Sequence, residues 1–189
     1  MLPERILSVM NGRVVDMLHL QPGDVTVEGI ADKLAKINRY NGATEYPYSV
    51  AQHAVLVSQL GNSEWEWTSG AVCLEALHHD DAEAFTGDWI SPIKHLPEVL
   101  RAVGPIEAVV HVQILHHLGL RAECPEIVAS LDRRALCVEW EGLGLPRGMG
   151  WDPPRVSVEP WQRELLKPMH WRAARDAYIE RHRELSCET

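Results

Sequence analysis

Leu77-His78-His79-Asp80-Asp81-Ala82-Glu83 is the stretch on which the reading of this chain turns. It falls in a segment of helical character, expected to run from roughly Trp65 to Phe85 and to stop at Gly87, a natural residue for the position after a helix. Side chains three and four apart on a helix share a face, so His79, Asp80 and Glu83 project to one side. An imidazole and a carboxylate placed there, with a second carboxylate beside them, are the groups that hold a divalent cation and move a proton. An adjacent His-Asp pair by itself is most often exposed surface, so the neighbouring segments decide its meaning.

Upstream, Ser49-Val50-Ala51-Gln52 is a capping box, in which hydroxyl and amide each satisfy an end N–H. The helix behind it carries Val50, His53, Ala54, Val57 and Leu60 along one face. Downstream, a helix opened by Pro125 and reaching about Trp140 sets Asp132 among Val128, Leu131, Ala135 and Leu136. Alone, His53 reads as a hydrogen-bonded core histidine, and Asp132 as half of an ion pair with Arg133 or Arg134. A carboxylate aimed at a core is costly unless it is paired or bound to a cation. Together, His53, His79-Asp80 and Asp132 form an ordered set on three helices, and its mixture of imidazole and carboxylate suits Mn, Co, Fe or Zn more than Ca.

The rest of the chain extends the helical pattern. A first helix is expected from Thr26, as its N-cap, to Asn38, with a loop marked by Asn41-Gly42 and Pro47. Arg13-Val14-Val15-Asp16 reads as either a short strand or an extended entry. Pro92 and Pro97 stiffen the segment after Gly87, Pro105 fits the first turn of a fourth helix ending near Gly119, and Gly142 to Pro154 reads as a long loop. A last amphipathic helix is expected over roughly Pro168 to Leu185. The fold class is all-α: one domain over 1–189, with its core in about 26–140 and a loop and helix over about 141–189.

Composition narrows the function. With 18 Lys plus Arg against 27 Asp plus Glu, the formal charge is −9. That field repels a nucleic-acid backbone, but a bound cation and one or two placed basic residues can still attract a small anion. Met1 to Met10 has no long apolar core, so neither a signal peptide nor a membrane anchor is expected. Four cysteines without a CxxC pair read as reduced thiols of a cytoplasmic protein. Among the ten histidines, His111, His116 and His117 read as surface or packing residues, and His95, His170 and His182 as solvated. Most of the seven tryptophans, Trp65, Trp67, Trp89, Trp151, Trp161 and Trp171 among them, read as packing residues.

The ordered set His53, His79-Asp80, Asp132 resembles the HD-domain superfamily of phosphohydrolases, which are all-α metalloenzymes. Ile37-Asn38-Arg39-Tyr40-Asn41-Gly42, Tyr48 to His53, Asp80 to Ala84, Gly87-Asp88, Pro92-Ile93-Lys94 and Pro160-Trp161 extend the likeness. Those segments are similar to a compact phage and bacterial branch that includes the phage dATP triphosphohydrolase. The resemblance implies a divalent metal ion (Co, Mn, Zn or Mg) on His53, His79, Asp80 and Asp132, with Glu83 as the catalytic carboxylate. It implies Arg39 and Lys94 facing substrate phosphates, Pro92 near the sugar and Tyr40 near the nucleotide. His78 and Asp81 depart from the pattern and are expected to perturb the metal shell. The implied activity is hydrolysis of dATP, a small-molecule deoxynucleotide, to deoxyadenosine and inorganic triphosphate; in a phage this would favour 2-aminoadenine in DNA. The implied protein is a cytoplasmic homo-oligomer, in the bacterial host if phage-encoded. The alternative is a 5′-deoxynucleotidase using the same centre on deoxynucleoside monophosphates. A non-catalytic module stabilised by metal is the reading from a different class. Glu83 and the absence of a thiolate set argue against it.

Overall fold

The computed structural model describes residues 3–64, 69–148 and 152–187. The expected helix start at Trp65, and Trp65, Trp67 and Trp151, lie outside the described residues. Asn11-Gly12 makes a tight hairpin between β1 (Leu7–Met10) and β2 (Arg13–Asp16), which pair antiparallel with Val9 opposite Val14. Both turn residues are left-handed, at φ 52° and 73°, the geometry for which Asn-Gly is favoured. Among the described residues the remaining regular structure is helical, which makes the fold all-α apart from this hairpin.

Thr26 caps α1 (Val27–Leu34), its hydroxyl accepting the Gly29 N–H at 3.0 Å. The helix stops short of Asn38 because the backbone beyond it bonds elsewhere. Arg39 N–H donates to the Tyr48 carbonyl at 2.8 Å, Val50 N–H donates to Ile37, and Asn38 bridges Ser49. This pairing pins a 3₁₀ turn, Arg39–Gly42, to the start of α2 (Val50–Glu64). The capping box is present: Ser49 Oγ accepts the Gln52 N–H, and Gln52 Oε1 accepts the Ser49 N–H, each at 3.2 Å.

The segment after α2 is not one helix. α3 (Gly70–Leu77) ends at His78, a turn follows, and α4 (Glu83–Thr86) is a separate short helix. Backbone bonds in the turn span three residues, as from Glu83 N–H to Asp80 and from Ala84 N–H to Asp81. Then come α5 (Ser91–Lys94), α6 (Pro97–Leu118), α7 (Pro125–Gly142), α8 (Pro160–Leu165) and α9 (Trp171–Ser186). The fourth expected helix therefore starts at Pro97 rather than Pro105. Pro105 lies inside α6 on an exposed position, where water can take the carbonyl its missing N–H leaves free. The expected last helix is present as α9, and α8 is a separate short helix that precedes it. Glu159 and Gln162 form a capping box on α8, and His170 caps α9.

α2 runs between two apolar clusters. On one side Val50, Ala51 and Ala54 meet Met10, Ile30, Leu34, Leu77, Ile114 and Tyr178. On the other, Leu56, Val57 and Leu60 meet Tyr48, Leu131, Val138 and Leu166. Fully burying one such aliphatic side chain is worth about 1.5–3 kcal/mol, which makes α2 a firm support for the polar residue it carries. No helix among the described residues is long and apolar enough to cross a membrane.

Candidate metal centre and active site

His53 projects from the first turn of α2 and is fully buried. The turn after α3 brings His79 and Asp80 against it, and α7 adds Asp132. His53 Nε2 lies 3.3 Å from His79 Nε2, 3.5 Å from Asp80 Oδ2 and 3.1 Å from Asp132 Oδ1. His79 Nε2 is 3.2 Å from Asp80 Oδ2 and 3.9 Å from Asp132 Oδ1. Bonds of about 2.1 Å set neighbouring ligand atoms about 3.0 Å apart around an octahedral ion and about 3.4 Å around a tetrahedral one. Among the described residues, His53, His79 and Asp80 are a group compact enough to hold one ion.

Hydrogen bonding to the far ring nitrogens supplies the stronger test of fit. His79 Nδ1 donates to the Ala76 carbonyl at 2.7 Å, and His53 Nδ1 donates to the Glu139 carboxylate at 2.5 Å. Those contacts leave both Nε2 atoms, when neutral, as bare acceptors aimed at each other and at two carboxylates. Such a convergence of acceptors is repulsive unless positive charge sits between them, and a divalent cation fits. In its absence protons serve. Burial disfavours charge on His79, but the Asp80 carboxylate outweighs it and raises the imidazole to about 9. Burial likewise opposes the charge on Asp80, yet His79, His53 and Arg39 hold its carboxyl far below the usual range. The Asp132 side chain is 43% exposed; against burial, its contact with His53 brings its carboxyl to about 2. Its partner is thus His53, in place of the Arg133 or Arg134 pairing, and its openness lowers the cost of its charge.

Glu139 was not singled out by sequence motifs. It lies two helical turns after Asp132 on α7, is fully buried, and accepts from four side chains. Besides His53, Tyr48 donates to Oε1 at 3.0 Å, while Tyr40 (2.5 Å) and Arg39 (3.3 Å) donate to Oε2. Burial pushes this carboxyl up, but Arg39 and His53 prevail and bring it to about 2. The seven-residue spacing from Asp132 was the available signal. Arg39 also approaches Asp80 Oδ2, at 3.8 Å. The ring of Tyr40, a residue left-handed at φ 55°, stands T-shaped to that of Trp140, 6.1 Å between centroids. The two residues expected to face substrate are therefore tied into the carboxylates around the metal site.

Glu83, the first residue of α4, is buried, and its Oε2 has no hydrogen-bond partner. Burial, then the charges of Asp80 and Asp88, push its carboxyl to about 9, against Lys94 and Arg39. Lys94 from α5 places Nζ 3.6 Å from Glu83 Oε1 and 3.2 Å from Glu107 Oε2 on α6. Pro92 stands exposed at the start of the same short helix. Asp88, half-buried, has its carboxyl raised by burial and feels Arg39, Asp80 and His53, which sets it beside the site. Glu107 and Asp88 join Glu139 as residues that sequence motifs did not assign.

His78 and Asp81 point the other way. His78 Nδ1 donates to Asp81 Oδ2 at 2.6 Å, Tyr178 donates to Asp81 Oδ1 at 2.5 Å, and His182 Nδ1 lies 2.9 Å from His78 Nε2. Their expected intrusion on the metal shell gives way to a buried network that holds the turn onto α9. His182 is accordingly half-buried rather than solvated. His117 packs through Leu20, Nε2 to carbonyl at 3.0 Å, whereas His95 and His116 are exposed.

Residues 33–130 match a family model described as 5′-deoxynucleotidase YfbR-like. That span contains Arg39, His53, His79-Asp80, Glu83 and Lys94, and Asp132 lies just beyond its end. Among curated proteins, the chain is similar to an uncharacterized protein of Escherichia coli (strain K12), YfdR. The two are 33% identical over 164 residues, covering 86% of this chain and 85% of that one. It is also similar to an uncharacterized protein of Rhodobacter capsulatus, 32% identical over 130 residues, covering 68% of this chain and 63% of that one.

Proposed function

Since the chain belongs to the 5′-deoxynucleotidase YfbR-like family of HD-domain metal-dependent phosphohydrolases, we propose that it removes the 5′-phosphate from deoxynucleoside monophosphates, with His53, His79, Asp80 and Asp132 as metal ligands. The observation that carries this reading is the set of four inward-facing acceptors with Glu83 beside it, whose Oε2 has no hydrogen-bond partner. The chemistry that a divalent cation held by these residues would supply is a lowered pKa of bound water and a polarised phosphoryl oxygen. Glu83 moves the proton: its free Oε2 takes one from the attacking water or gives one to the leaving 5′-oxygen. Lys94 keeps positive charge near that carboxyl and toward the phosphate.

Charge balance favours a monophosphate over a triphosphate. Arg39 is matched by Glu139 and Asp80, and Lys94 by Glu83 and Glu107. Neither has surplus charge for a polyphosphate tail. The test is product analysis on a panel of dNMPs, NMPs, dATP and ATP with Co, Mn, Mg and Zn. Orthophosphate from dNMPs, and less from NMPs, is the expected result. Triphosphate and deoxyadenosine from dATP, with dAMP left intact, would move the protein to the dATP triphosphohydrolase reading.

Metal uptake has a sign fixed by His79. A proton must leave that imidazole before a cation enters, and its pKa is raised to about 9. Affinity for Co²⁺ is therefore expected to rise steeply with pH, roughly tenfold per unit per proton displaced, and to level off above about pH 9. Calorimetric titrations showing the same affinity across the neutral and mildly alkaline range would contradict this.

A further inference from the structure

Glu139 divides its two oxygens between two jobs. Oε1 accepts from His53 and Tyr48, on the metal side; Oε2 accepts from Tyr40 and Arg39, in the turn that borders the site. A surface carboxylate could hold one of these sets only loosely. This one is fully buried, with all four donors convergent, and neither set can shift without the carboxylate shifting too. The 39–42 turn is held in an uncommon conformation, with Tyr40 and Asn41 left-handed at φ 55° and 53°, so something outside the turn must favour it. The backbone bridge to Tyr48 and Ser49 fixes the start of the turn, and the Glu139 contacts fix its side chains.

We infer that Glu139 is a positioning residue that couples the metal site to the adjoining 39–42 turn: its carboxylate sets the tautomer and aim of His53 and, through Tyr40 and Arg39, the shape of that turn. The inference rests on the reading of His53 as a metal ligand. A carboxylate that orients a ligating histidine is worth about 10–100-fold in metal affinity or activity when removed. Gln at 139 preserves the shape but must present an NH₂ either to His53 Nδ1–H or to the donors on Tyr40 and Arg39. One side of the coupling is broken in either orientation.

The experiment measures Co²⁺ affinity by calorimetry and KM and kcat separately, in wild type, Glu139→Gln and Tyr40→Phe, with thermal unfolding as a folding control. Glu139→Gln is expected to weaken Co²⁺ binding by about 10–100-fold and to raise KM. Tyr40→Phe, which removes one hydroxyl from Oε2, is expected to raise KM and to weaken Co²⁺ binding in the same direction by a smaller factor. A folded Glu139→Gln with wild-type Co²⁺ affinity would overturn the inference. Should Glu139→Gln fail to fold, Tyr40→Phe decides: unchanged Co²⁺ affinity overturns the coupling. Wild type that binds no Co²⁺ would instead sink the metal reading itself, an outcome distinct from either.

Discussion

Replacing Asp80 with alanine is expected to strip the protein of its metal and abolish turnover while leaving it folded. Asp80 holds the shortest carboxylate approach to His79, 3.2 Å, and also faces His53 at 3.5 Å and Arg39 at 3.8 Å. None of these contacts belongs to the apolar clusters that hold α2 and α3 together. The loss is thus of a ligand and of the negative charge that draws a cation to two imidazoles. Without that charge, His79 also loses the main cause of its raised pKa and returns toward the ordinary histidine range. Elemental analysis of purified wild type and Asp80→Ala, alongside their melting curves, is the measurement. Equal metal content in the two proteins would remove Asp80 from the ligand set.

Glu83→Gln is the variant with the next largest effect, because it separates metal binding from chemistry. Glu83 makes no short contact with His53, His79 or Asp132, so the variant is expected to retain its metal. A general acid–base group typically supplies about 10²–10⁴-fold in rate, and kcat is expected to fall by that order. The carboxyl stands at about 9 in the metal-free protein because burial and then Asp80 and Asp88 disfavour its charge. A cation held by Asp80 would offset part of that repulsion and lower the value, which favours a group that both takes and gives a proton. The limb of the wild-type pH–rate profile that reports this carboxyl is therefore expected to disappear in Glu83→Gln. Unaltered kcat in a metal-loaded Glu83→Gln would take Glu83 out of the mechanism and shift attention to Asp88.

Local signals in the sequence determined most of the helical frame. Thr26 as a cap, the Ser49–Gln52 box, Pro125 at a helix start and Gly119 after a helix end act within one or two turns, and each is present as read. The order His53, His79-Asp80, Asp132 was also visible, because those residue types have few other reasons to fall on apolar faces together. What the sequence did not disclose is long-range. His79 and Asp80 look helical by spacing, but α3 ends at Leu77, and the buried bonds of His78 and Asp81 to Tyr178, about 100 residues on, fasten the motif as a turn. Lys94 is expected from the resemblance to face phosphate, and its place between Glu83 and Glu107 is set by packing of α5 on α6. Glu139 meets His53 across 86 positions of chain. A cap or a helical face is decided by neighbours a few bonds away, whereas a buried carboxylate acquires its partners only when distant helices exclude water around it. That is why the helices and the candidate ligands could be read from the chain, and the residues that aim them required the tertiary structure.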